Sequence, residues 1–265
     1  MNAEPIDLRP GEIHLWLAHY EAIGAEELLE AYRGMLNPQE RSQEQRFYFA
    51  RDRRRYRVTR ALQRTVLSRY ARIAPQDWEF SATAYGRPEI ANTAAEGLHL
   101  TFNISHTHDL IVLAVTRSGA LGVDVENTHA REACLGIADR YFSAAEVLAL
   151  QALPLDLQQQ RFWEYWTFKE SYIKARGMGL SLPLDKFAFR FPDARQVLLE
   201  IQPELADDPA SWELWQFRPA KQYLVALCAT RCAAGPAVIV AREVVPLAGE
   251  KIFEPQWLRT SRHQS

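Results

Sequence analysis

Residues 98–126 read LHLTFNISHTHDLIVLAVTRSGALGVDVE, and the architecture turns on them. Residues 98–104 and 110–116 are β-rich runs on either side of the polar Ser105-His106-Thr107-His108-Asp109, the pattern of an antiparallel pair. A third short strand is expected at 121–126. Upstream, Ile13, Leu15 and Leu17 alternate with His14, Trp16 and Ala18, which reads as a strand. Residues 25–36 have helical character, and Asn37-Pro38 fits a cap followed by proline in a first turn. A long helix is predicted over 51–71, with Val58, Leu62, Val66 and Leu67 as its apolar stripe. Downstream the helical pattern returns at 132–141, 143–152 and 158–175. Ser143 and Glu146 form a possible capping box, and Gly177 and Gly179 close the last helix. Strands follow at 187–191, 212–217 and 223–228. This order predicts an α+β protein of two halves meeting near residue 120: a first lobe over 1–120, a second over 121–245, and a tail over 246–265.

The chain has 265 residues, 48% apolar and 24% charged, with a formal net charge of −2. That balance is ordinary for a globular protein and argues against a general nucleic-acid binder. Charge is nevertheless concentrated: Arg51, Arg53, Arg54, Arg55, Arg57, Arg60, Arg64 and Arg69 crowd the long helix, which points to a discrete anionic ligand. Cys134, Cys228 and Cys232 are too few for a disulfide framework, so a reducing, cytoplasmic setting is expected. Cys228 and Cys232 read as core residues rather than half of a metal site. No targeting segment or membrane span is expected.

In Gly122-Val123-Asp124-Val125-Glu126, strand alternation turns Val123 and Val125 to one face and Asp124 and Glu126 to the other. Paired carboxylates on one face are either a solvated edge or ligands for a hard cation such as Mg²⁺. In the helix at 158–175, Trp166, Glu170 and Lys174 share a stripe at four-residue spacing; they are either a surface ion pair beside a core tryptophan or an acid–base pair. Ser105 and His106 follow a strand and can donate to phosphate, or they form a structural turn. Gly86-Arg87-Pro88 is a rigid loop presenting one cation.

Taken in order, these groups resemble the Sfp-type 4′-phosphopantetheinyl transferases. The family's Gly-x-Asp-x-Glu strand is matched by Gly122–Glu126, and its Trp-x-x-Lys-Glu-x-x-x-Lys helix by Trp166–Lys174. Tyr85-Gly86-Arg87-Pro88 looks like its Gly-Lys-Pro loop, and Phe102–His106 like its Phe-Asn-Ile/Leu-Ser-His strand. The likeness runs from about Phe47 to Phe189. It implies two similar α/β lobes related by a pseudo-twofold, with the active site in the cleft between them. It further implies transfer of the phosphopantetheine arm of coenzyme A to a serine of an apo acyl or peptidyl carrier protein; the two-lobed layout leads us to expect a monomer. Asp124, Glu126 and Glu170 would hold Mg²⁺, or Mn²⁺ in its place, and would have to converge on one ion. Asp124, Glu170 and Lys174 would be catalytic, Glu170 taking the serine proton. Ser105, His106, Arg87 and Lys174 would bind the phosphates of coenzyme A. Where some relatives carry lysines for the 3′-phosphate this chain has Glu40 and Gln43, so Arg53, Arg54 or Arg60 is expected to substitute. A metal-dependent phosphohydrolase or nuclease is the alternative, because three carboxylates and cations also suit phosphodiester cleavage.

Overall fold

The computed structural model describes residues 5–130, 132–133 and 135–261. The strands are β1 (Glu12–His19), β2 (Phe80–Ala82), β3 (Pro88–Ile90), β4 (Thr101–His106), β5 (Leu110–Thr116), β6 (Leu121–Asn127), β7 (Phe187–Arg190), β8 (Leu198–Ile201), β9 (Trp212–Phe217), β10 (Tyr223–Thr230), β11 (Val238–Val245), β12 (Gly249–Phe253) and β13 (Trp257–Thr260). The α-helices are α1 (Glu26–Gly34), α2 (Pro38–Arg46), α3 (Ala50–Leu67), α4 (Ala138–Tyr141), α5 (Ala144–Gln151) and α6 (Leu155–Arg176). The fold is mixed α and β. One sheet has the order β12-β11-β1-β5-β4 and another β13-β9-β10-β6; β2–β3 and β7–β8 are separate hairpins.

Alternation along each strand explains how the sheets stack. In β1, Trp16 and Ala18 meet Val58, Leu62 and Leu67 of α3, while Ile13, Leu15 and Leu17 turn the other way. There they meet Val123 and Val125 of β6 and Val225 and Leu227 of β10. On its far face the second sheet presents Leu224, Ala226 and Cys228 to Phe168 and Tyr172 of α6. Each sheet is thus covered on both sides, so β5 is buried at every position and shows no polar face. Burying both faces is what a near-continuous apolar run requires.

The predicted strands and long helices are present, and both α2 and α5 carry capping boxes, Asn37 with Glu40 and Ser143 with Glu146. Three features differ from the sequence reading. The helix expected over 132–141 is a single α-turn, α4, after one 3₁₀ turn at Leu135–Ile137. The described part of the expected tail, residues 246–261, contributes two strands: β12 pairs with β11, and β13 pairs with β9. Strand β11 runs parallel to β1, so the chain passes from the first sheet to the second after Thr116 and returns to the first at Val238. Cys134 lies outside the described residues; Cys228 is buried in the core and Cys232 half-buried. Among the described residues no helix is long and apolar enough to cross a membrane.

Candidate active site

The site begins at a glycine. A Cβ on Gly122 would overlap the backbone of Ser171 and Ala175, so α6 lies directly on β6 with no side chain between them. Only glycine allows that approach. Alternation puts Gly122, Asp124 and Glu126 on the face toward α6, and helical spacing puts Glu170 and Lys174 one turn apart beside it. The result joins two motifs 50 residues apart: Lys174 Nζ donates to Asp124 Oδ1 at 2.6 Å.

Ser105 completes the cluster. Its hydroxyl donates to Asp124 Oδ1 at 2.9 Å and accepts from Lys174 Nζ at 2.9 Å and from the Val125 amide at 3.4 Å. One donor and two acceptor positions exhaust a hydroxyl. Ser105 is expected at a phosphate; in this structure its hydroxyl is taken up by Asp124, Lys174 and the Val125 amide. The carboxyl pKa of Glu170 is raised, first by burial and then by the charge of Asp124, with Lys174 opposing. Glu126 is half-buried at the next position on the same face.

His106 ends β4 at the mouth of a cavity of about 500 Å³, whose walls include Arg55, Tyr56, Arg60, Phe80 and Gly86. Crowding by protein and the charges of Arg55 and Lys174 push the imidazole pKa down to about 4. Because His106 is exposed at the rim, the two neighbouring cations are the firmer cause. An anion placed there would relieve the same repulsion.

The arginines divide by partner. Arg64 is fully buried and donates to Glu40 Oε2 at 2.7 Å and to the carbonyls of Trp78 and Pro75. Arg57 binds Glu44 at 2.6 Å. Arg60 lines the cavity, leaning on Glu40 at 3.5 Å and donating to Gln63. Arg53 is exposed and outside the cavity lining, and Arg54 reaches the Glu21 carbonyl. Arg55, which sequence reasoning passed over, is the arginine whose charge reaches His106. Its signal was the spacing of Arg55, Thr59 and Gln63, a four-residue stripe on one helix face.

Arg87 differs most from expectation. Its guanidinium donates to the carbonyls of Lys174, Ala175, Phe102 and Leu121 at 3.0–3.4 Å. It therefore caps the end of α6 and ties it to β4 and β6, in keeping with a cation at a helix C-terminus. Lys169, inside the same helical motif, is buried against Glu146 at 2.9 Å and serves the core.

Two observations test these acids as ligands for a divalent cation. Asp124 Oδ2 is buried and accepts no hydrogen bond, and Glu170 is disfavoured as an anion by burial and by Asp124. Both deficits are of the kind a cation relieves, and an all-oxygen donor set suits Mg²⁺. The three acids do not stand as a closed cage: among the described residues no group of three or more His, Cys, Asp and Glu side chains is drawn together around an ion-sized position. Lys174 occupies the space on Asp124 Oδ1.

Residues 120–228 match the family described as the 4′-phosphopantetheinyl transferase superfamily, and residues 24–118 match the 4′-phosphopantetheinyl transferase N-terminal family. The chain is 34% identical over 200 residues to 4′-phosphopantetheinyl transferase Sfp of Bacillus subtilis strain 168, covering 76% of this chain and 84% of that relative. It is 28% identical over 214 residues to 4′-phosphopantetheinyl transferase HetI of Nostoc sp. strain PCC 7120, covering 81% and 86%. Over 207 residues it is 33% identical to 4′-phosphopantetheinyl transferase ffp of Bacillus subtilis, covering 78% and 88%.

Proposed function

This chain belongs to the 4′-phosphopantetheinyl transferase superfamily, and from that we infer that it transfers the 4′-phosphopantetheine arm of coenzyme A to a serine of an apo acyl or peptidyl carrier protein, releasing 3′,5′-ADP. The observation that carries the assignment of roles is the Lys174–Asp124 contact beside Glu170; His106, whose charge environment includes both Lys174 and Asp124, lines a cavity together with Arg55. The relatives reported above all bear the transferase name, and nothing favours the phosphohydrolase or nuclease alternative.

In this reading the two sheets with their helices form two α/β lobes related by a pseudo-twofold, and the reaction takes place in the seam where β4 meets β6. The cavity takes the nucleotide end of coenzyme A, with Arg55, Arg60 and His106 facing its phosphates. Asp124, Glu126 and Glu170 hold Mg²⁺, which when bound neutralises charge on the pyrophosphate. That requires Lys174 to leave Asp124 Oδ1 and turn its ammonium to the pyrophosphate, where it steadies the departing 3′,5′-ADP. Glu170 accepts the proton of the carrier serine hydroxyl. The serine oxygen forms the new bond to the β-phosphorus as the bond from that phosphorus to the bridging oxygen of 3′,5′-ADP breaks. A carboxyl with a raised pKa is suited to that proton transfer.

The test is incubation of the protein with coenzyme A, Mg²⁺ and an apo carrier protein, followed by intact-mass spectrometry. The expected outcome is a carrier heavier by one phosphopantetheine only when all components are present. Hydrolysis of coenzyme A with the carrier left unmodified would count against the proposal.

A further inference from the structure

Strand β6 pairs with β10 on one side only. Successive residues of a strand direct their amides to opposite sides, so a second row of N–H groups faces away from β10. Those groups belong to Val123, Val125 and Asn127, and each is met by a side chain of the chain segment beside it. Val123 donates to Asn103 Oδ1 at 2.9 Å, Val125 to Ser105 Oγ at 3.4 Å and Asn127 to Thr107 Oγ1 at 3.0 Å. The separation in sequence is 20 residues each time, so the two strands run parallel and in fixed register. Three alternating polar side chains on one sheet's edge thus stand in for a backbone ladder along the edge of the other.

We propose that Asn103 and Thr107 are positioning residues for the carboxylate of Asp124. The argument rests on the transferase reading above and on the division of labour among the three stitches. The central one is the longest, and its hydroxyl also donates to Asp124 and accepts from Lys174. The outer two are shorter, and among the described residues their acceptor atoms make no other hydrogen bond. They fix how β4 lies along β6, and the only side-chain bond from β4 to Asp124 is the one from Ser105. Register between the sheets therefore sets where the Asp124 carboxylate points. Asn103 is buried, so its acceptor cannot be replaced by water without opening the seam. Thr107 is half-buried and can be altered with less risk to folding.

The decisive pair is Thr107→Val, which keeps shape but loses the acceptor, and Thr107→Ser, which restores it. Mn²⁺ binding is read by electron paramagnetic resonance on the protein without coenzyme A. Transfer is read as kcat, the KM for carrier and the Mg²⁺ concentration giving half-maximal rate. The expected result for Thr107→Val is roughly tenfold weaker Mn²⁺ binding, the low end of what losing a residue that orients a metal ligand does. The Mg²⁺ requirement should rise in parallel, the KM for carrier should stay unchanged, and Thr107→Ser should behave as wild type. Asn103→Leu should show the larger effect if it folds; if it does not, the Thr107 pair decides. A Thr107→Val protein that melts earlier yet binds Mn²⁺ and transfers like wild type would overturn the proposal, as would a wild type that binds no Mn²⁺. Wild type that binds Mn²⁺ but modifies no carrier would sink the transferase reading instead, leaving the metal-affinity comparison standing.

Discussion

Helix α6 carries two lysines five residues apart, each set against a carboxylate, and the two pairs are built to opposite ends. At Lys169 everything is satisfied. Its ammonium donates to Glu146 and to the carbonyls of Leu184 and Phe187 and lies 4.2 Å from the centre of the Phe187 ring. Glu146 in turn accepts from the amides of Ser143 and Phe189. At Lys174 the pair is incomplete: Asp124 keeps one buried oxygen without a donor, and Glu170 stands beside it as a disfavoured anion. A buried ion pair with every valence filled holds structure; one with a valence left over is poised for something else to arrive. The motif that reads as one signature in sequence thus contains a structural half and a chemical half.

The sharpest way to break this comparison is to remove each half separately. Asp124→Ala is expected to lower the rate of carrier modification by about a thousandfold, as losing an electrostatic stabiliser of the transition state does, with the melting temperature unchanged or higher. Transfer assays and thermal melts on one preparation check both. Lys169→Met should do the reverse. It leaves Glu146 buried without its cation and should cost about 3–5 kcal/mol of stability, read from denaturant unfolding, while the folded fraction keeps a normal kcat.

Arg87→Ala tests which half that arginine belongs to. The carbonyls at the end of α6 lose their donors, so we expect about 2 kcal/mol of destabilisation and a KM for coenzyme A that changes by less than the stability loss would imply. A large rise in KM at unchanged melting temperature would return Arg87 to the phosphates.

The smallest effect on stability is expected from Glu170→Gln. The folded-state pKa of Glu170 is raised above its ordinary value, first by burial and then by Asp124. Its stabilising contribution is therefore full below the unfolded pKa and lost as pH rises through the folded one. Glutamine mimics the protonated form, so without divalent metal the variant should melt above wild type at neutral pH. The gap should close as pH falls toward the ordinary carboxylate range, and transfer should be lost throughout. Melts across pH, with and without Mg²⁺, read the outcome.

The sequence made legible what depends on local spacing. Alternation placed Asp124 and Glu126 on one face, four-residue periodicity put Glu170 beside Lys174, and the apolar stripe of α3 is buried as read. What escaped was whatever depends on partners far along the chain. Ser105 and Thr107 looked like part of a polar turn, and Asn103 drew no notice within its strand, because nothing nearby in sequence needs their acceptors. Arg87 looked like a free cation because the carbonyls it caps lie 87 and 88 residues away. Strand β13 read as tail because its partner, β9, lies far back along the chain; β12 pairs locally with β11, but its exposed residues carry no apolar face to announce it.

The parallel pairing of β1 with β11 has a consequence for synthesis. Strand β1 leaves the ribosome early and finds β5 within the first half of the chain, but its other edge is filled only by residues 238–245. At a translation rate of about 5–20 residues per second, that edge stays open for roughly ten to forty seconds. During that interval the nascent first half of the chain exposes an apolar strand of a kind that invites pairing between neighbouring chains, so yield on overexpression should improve when translation is not crowded or when a chaperone shields the early half.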